Sequence, residues 1–191
     1  MSFDHAALKS RAAKLEGTMP DSLALRVHRA LSWLERAEKC KDDDDARFVF
    51  LWISLNAAYA DEIQRDGATE QAILERFLRR LVSVDRENLL HALVWTRFSG
   101  PFRLLLDNPF VFQPFWDYHN GRIPEERWKR SFEGAKRKAQ KALGDHKQTA
   151  TALAIVLARL YTLRNQLVHG GATWNSSVNR DQVQDGCAIL G

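Results

Sequence analysis

Apolar side chains recur along this chain at intervals of three and four residues, the spacing of helices with one buried face, and nowhere with strand-like alternation. Pro20-Asp21-Ser22 opens the first strong pattern, in which Leu23, Val27, Ala30, Leu31 and Leu34 share a face. Lys41 and four successive aspartates follow, and Asp45 is placed to cap a helix predicted over about 46–62. Its segment FVFLWISLNAAYA is apolar nearly all round, which suits the centre of a bundle. After a break at Asp66-Gly67, a helix over about 69–82 carries Ile73, Leu74, Phe77, Leu78 and Leu81. Asp85 is placed to cap another, with Leu89, Leu90, Leu93, Val94 and Trp95, that ends at Ser99-Gly100-Pro101.

The segment from Phe102 to Ile123 is rich in aromatics and punctuated by Pro109, Pro114 and Gly121. It predicts an irregular, partly helical element packed on the bundle, since disordered segments lack so many aromatics. Pro124-Glu125-Glu126 has the proline and acids of a helix start, and that basic helix stops at Gly144. A long helix predicted over about 147–168 ends at Gly170-Gly171, where glycine accepts the left-handed backbone of a helix terminus. A last helical pattern from Asp181 stops without a cap, as in a chain that continues past Gly191. These elements predict an all-α, up-and-down helical bundle in a single domain over residues 1–191, with an aromatic and basic helical insertion at about 102–144.

Composition changes this picture little. Hydrophobic residues at 45% and charged residues at 27% are ordinary for a globular chain. The N-terminus lacks the basic-then-apolar pattern of a secretory leader, and no apolar run is long enough to span a bilayer. Cys40 and Cys187 have no spacing that suggests a metal site or a disulfide framework. A cytoplasmic protein without a membrane segment is expected. The net charge of +4 is modest but uneven, with basic residues gathered between Arg122 and Lys147. Arg130, Arg137 and Lys141 are the candidates there to track an RNA backbone, although a solvated helix face has the same pattern.

The helix over 147–168 carries the candidate chemistry. Leu153, Val156, Leu157, Leu160, Leu163 and Leu167 define its apolar stripe, and Arg164 falls within it. A guanidinium stays charged at any ordinary pH, so burying one calls for a carboxylate, a phosphate or several carbonyls. Asn165 and His169, four apart, are neighbours on an adjoining face. Spacing alone favours a structural role: Arg164 paired with an acid from another helix, His169 suited to the helix dipole. Asn56, polar within an apolar helix, is a candidate to orient Arg164 or to bond a neighbouring backbone. Tyr161 and Trp174 flank the motif, as packing residues or as platforms for a base. The other histidines are scattered with no pair at ligand spacing, and no phosphate-binding loop or dinucleotide motif occurs, so neither metal nor cofactor is expected.

The segment Leu160-Tyr-Thr-Leu-Arg-Asn-Gln-Leu-Val-His-Gly-Gly171 resembles the signature of the HEPN superfamily, R-x-x-x-x-H near the end of a late helix with a polar residue after the arginine. Phe50-Leu-Trp-Ile-Ser-Leu-Asn-Ala-Ala-Tyr59 and the tail from Gly171 to Gln182 are similar to the bacterial Apea-like branch. The resemblance implies a bundle that dimerises so that two such helices face each other. It also implies a metal-independent endoribonuclease of a toxin–antitoxin or defence system, with Arg164, Asn165 and His169 catalytic and an antitoxin or regulatory protein as a further partner. Other members only bind RNA or nucleotides, and that alternative stays open, as does a helical partner-binding module in which Arg164 is structural.

Overall fold

The computed structural model describes residues 4–59, 69–97 and 99–191. Every regular element among them is helical, and no strand occurs among the described residues. The backbone divides into two compact units, Met1–Gly67 with Gln166–Gly191, and Ala68–Asn165.

In the first unit, α1 (His5–Lys14), α2 (Asp21–Glu38) and α3 (Asp44–Tyr59) are joined by α10 (Arg180–Leu190). The apolar pattern does not predict the short helix α1; none of its residues is buried, so it has little apolar periodicity to show. It is held through polar contacts instead. Asp4 caps it through the Ala7 N–H, and the His5 N–H donates to Glu38 Oε1 at 2.7 Å. Helix α3 packs against both α2 and α10, which explains why its sequence is apolar nearly all round. Phe48, Leu51 and Trp52 are buried on it, and Val183 and Cys187 are buried on α10. Ser54 Oγ donates to the Ala30 carbonyl at 2.7 Å, tying α3 to α2. The expected end of α3 near residue 62 and the break at Asp66-Gly67 lie outside the described residues.

The four aspartates do more than connect helices. Asp43, not the expected Asp45, caps α3: its Oδ1 accepts the Ala46 N–H at 2.9 Å. Asp45 already lies inside the helix and is 7% exposed. Its Oδ2 accepts the Asn175 N–H at 2.7 Å and Arg180 Nη2 at 2.9 Å. Asp44 adds an acceptor for Gln184 Nε2 at 3.0 Å, and its carbonyl accepts the Cys187 thiol at 3.4 Å. Burial pushes that thiol up to about 12, which keeps it protonated and unreactive. Asn175 itself has φ 54, a left-handed conformation that asparagine tolerates better than most residues. The acidic start of α3 is therefore the dock for the C-terminal segment.

The second unit holds α4 (Glu70–Val84), α5 (Leu89–Ala92), a π turn at Leu93–Arg97, α6 (Ser99–Asp107), α7 (Gln113–His119), α8 (Glu125–Leu143) and most of α9 (Thr149–Val168). Thr69 caps α4, and Asp85 accepts the N–H groups of Leu89 and Leu90, as expected. Ser99-Gly100-Pro101 follows a π turn that ends at Arg97 and is itself helical. It begins α6, because a proline in the first turn forfeits no intrahelical hydrogen bond. Phe102, Leu105 and Leu106 of α6 are buried, and Lys136 of α8 pairs with Asp107 at 2.7 Å. The aromatic segment is partly helical and packs on α8: Phe115 meets Trp128 edge-on at 5.2 Å, and Phe112 meets Phe132 at 5.4 Å.

No helix among the described residues is long and apolar enough to cross a membrane.

Replacing Asp45 with asparagine keeps its shape and removes the charge that holds Arg180 and the Asn175 backbone. Hydrogen bonds to a charged group are worth about 1.5–3 kcal/mol, so Asp45→Asn should lower unfolding stability by roughly that amount. Exposed Asp42→Asn should change it by less than about 0.5 kcal/mol. Urea titration followed by circular dichroism reads both; equal effects would mean the dock is not formed in solution.

Candidate functional site

Helix α9 carries two arginines in different surroundings. Thr149, Ala152, Val156, Leu157, Leu160 and Leu163 are buried on it, whereas the predicted stripe members Leu153 and Leu167 are only partly so. The expectation that Arg164 is buried in that stripe is corrected: Arg164 is half-exposed. Its Nη1 donates to Asn165 Oδ1 at 2.8 Å, and its guanidinium lies 5.6 Å from the centre of the Tyr161 ring. Three predicted residues are thus brought together at this end of the second unit. The Asn165 carbonyl is spent on its neighbour, leaving the amide NH₂ to donate outward.

The remaining candidates belong to the first unit or to the solvated face of α8. His169 is exposed just past the end of α9, and Gly170 follows with φ 72, the left-handed turn expected there. The Ala172 N–H returns to the Gln166 carbonyl at 3.1 Å, closing the helix terminus. Trp174 is 73% exposed, with Nε1 donating to Asp43 Oδ2 at 3.3 Å. Asn56 Oδ1 accepts the Tyr59 hydroxyl at 2.8 Å within α3. Arg130, Arg137 and Lys141 are exposed on α8, opposite the face that buries Ala139 and Ala142 and packs Trp128 and Phe132 against aromatic rings.

The buried arginine is Arg159, which the apolar periodicity does not single out. It is 2% exposed, and neither Nη1 nor Nη2 has a hydrogen-bond partner among the described residues. Its guanidinium lies over the ring of Phe112 at 4.1 Å and near that of Phe132 at 5.2 Å. Desolvation lowers its pKa to about 10, so it remains charged at neutral pH in surroundings that solvate it poorly. A base whose folded pKa lies below its unfolded value costs stability at every pH below the folded pKa, here below about 10. Its signal in the sequence is a single charge at i+3 from Val156 and i−4 from Leu163, inside an otherwise apolar run.

Arg159 stands in the wall of a cavity of about 730 Å³ formed within the second unit. Ala150, Ala154, Ile155 and Ala158 of α9 give it a low apolar side. Arg79, Lys138 and Lys147 add three more cations, against the single carboxylate of Glu75. That carboxylate is itself paired with Arg79 at 3.0 Å.

Among the described residues no group of three or more His, Cys, Asp or Glu side chains is placed to hold a metal ion. Comparison of the chain with protein-family models, curated proteins and solved structures finds no match.

Arg159→Met keeps an unbranched stem between the two rings and removes an unpaired buried charge. Because such a charge costs several kcal/mol, while stacking on a desolvated ring returns about 2 kcal/mol, the variant should be more stable by roughly 1–3 kcal/mol. Urea unfolding at pH 7 checks this, and a loss of stability would show that ring stacking outweighs desolvation.

Proposed function

We propose that this chain is a metal-independent endoribonuclease of the HEPN type, acting as a homodimer in which Arg164 and His169 of both subunits serve one site. The observation that carries the reading is the Arg164–His169 motif at the end of a long apolar helix, with the arginine half-exposed and held by Asn165 and the histidine exposed. RNA brings its own nucleophile, the 2′-hydroxyl, so the protein needs to supply only proton transfer and charge. One histidine takes the 2′-hydroxyl proton as that oxygen attacks phosphorus. The second subunit's histidine protonates the departing 5′-oxygen. Arg164 forks onto the phosphate and offsets the charge that builds during attack, with the Asn165 amide as a further donor. The products are a 2′,3′-cyclic phosphate and a 5′-hydroxyl. Tyr161 and Trp174 offer faces for unstacked bases. A role as a cytoplasmic toxin or defence effector, restrained by an antitoxin or regulatory protein, accords with this chemistry.

Incubating the protein with total RNA in the presence of a chelator tests the reading. Loss of a positioned proton-transfer group costs about 10²–10⁴-fold in rate. His169→Ala should therefore be nearly inactive, with its helical circular dichroism and RNA affinity retained. Equal cleavage by His169→Ala, or cleavage only after a divalent metal is added, defeats the mechanism. RNA binding without cleavage by the parent protein would identify a binding module instead.

The basic face of α8 yields a separate expectation. Each phosphate neutralised on a single strand contributes about −0.7 to the slope of log affinity against log salt. Arg130→Ala/Arg137→Ala/Lys141→Ala should flatten that slope by about 2 if all three residues contact phosphates, without changing which RNA is preferred. An unchanged slope would make this a solvated face only.

A further inference from the structure

The cavity of the second unit has the features of a ligand site, and nothing in the ribonuclease reading uses it. We propose that it binds a small organic phosphomonoester with a flat, weakly polar body, the phosphate taken by Arg159 and the body laid along the alanine side of α9. This inference stands independently of the proposed RNA chemistry, which concerns Arg164 and His169.

Three observations carry it. First, Arg159 is almost fully buried with both Nη atoms unmatched by any protein acceptor among the described residues. Stacking on Phe112 occupies a face of the guanidinium, whereas its N–H donors lie in the plane and still require an acceptor. A phosphate meets that fork with two oxygens and two negative charges. Second, cationic side chains converge on the cavity from several elements: Arg79 of α4, Lys138 of α8 and Lys147 before α9. Glu75 pairs with Arg79 and offsets that one cation, leaving Arg159, Lys138 and Lys147 in excess. Inorganic phosphate would satisfy the charge but not the third feature, which is size. About 730 Å³ lies within the range of small-molecule sites, and Ala154, Ile155 and Ala158 offer a shallow apolar shelf beside Phe112. The glutamines Gln71 and Gln148 in the same wall supply donors and acceptors for a few polar atoms on the body.

Calorimetric titration of the full chain with adenosine 5′-monophosphate as the probe tests this, beside ribose 5-phosphate, inorganic phosphate and adenosine. The nucleotide should bind, the two smaller phosphates at least about tenfold more weakly, and adenosine not at all. Losing hydrogen bonds to a charged group weakens binding by about ten- to hundredfold, so Arg159→Met should lose that much affinity while remaining folded. A second variant, Lys138→Ala/Lys147→Ala, alters only exposed side chains and should retain its fold. It should weaken the nucleotide about fivefold, with a shallower salt dependence. Absence of nucleotide binding at millimolar concentration overturns the proposal, as does unchanged affinity in either variant. Inorganic phosphate binding as tightly as the nucleotide would also overturn it, because the cavity would then be an anion site with no place for a body.

Discussion

Helix α9 has to satisfy two opposed demands, and the second unit is organised around the result. Val156, Leu157, Leu160 and Leu163 are buried on it, each contributing about 1.5–3 kcal/mol by leaving water. The same helix carries a guanidinium into the interior with no carboxylate among the described residues to receive it, at a cost of several kcal/mol. Apolar burial outweighs that cost, so the helix stays in and the charge goes with it. Phe112 and Phe132 meet that charge from the turn before α7 and from α8, which gives the aromatic segment a specific task. Its rings stack among themselves, on the apolar side of α8 and against one cation of α9.

In the first unit the corresponding problem is solved by pairing. Asp45 is also buried, but it receives a backbone N–H and a guanidinium. The two buried charges thus differ: Oδ2 of Asp45 is met by the chain itself while its Oδ1 is not, and neither Nη of Arg159 has a hydrogen-bond partner among the described residues. A buried ionised group left without a protein partner is costly enough that its retention calls for a reason. That contrast singles out Arg159, rather than the paired Arg180, as the cation with unmatched donors among the described residues.

Much of the helical framework is legible in the sequence because its punctuation is chemical. Pro20, Thr69, Asp85, Pro124, Gly144 and Gly170 each stand where a helix begins or ends, for reasons of backbone geometry that act locally. Local signals fail where distant parts of the chain decide. Asp45 reads as a helix cap until residues 175 and 180, more than a hundred positions away, are seen to claim it. Ser99-Gly100-Pro101 reads as a stop but equally permits a start, and burial of Phe102 and Leu105 selects the start. Arg164 and Arg159 both interrupt the same apolar helix, and periodicity offers no means of telling which is inside. At the candidate site, the association of Arg164 with Tyr161 follows from helical spacing, whereas its bond to the adjacent Asn165 does not. The cavity beside Arg159 does not, since its walls come from four elements dispersed between residues 71 and 162.

The exposure of the polar groups along α9 also divides their possible roles. Arg159 is almost fully buried in the wall of a cavity of about 730 Å³, a space of small-molecule size rather than of a polymer backbone. Arg164 is half-exposed and His169 is exposed beside a glycine in the left-handed conformation, so both are accessible to a chain passing over the surface. The proposed RNA chemistry requires this exposure of Arg164 and of His169 just past the helix. Arg164 has Asn165 as an acceptor and Tyr161 beneath its guanidinium, whereas neither Nη of Arg159 has an acceptor among the described residues. What separates the two arginines, five residues apart on one helix, is the depth at which the helix leaves each guanidinium.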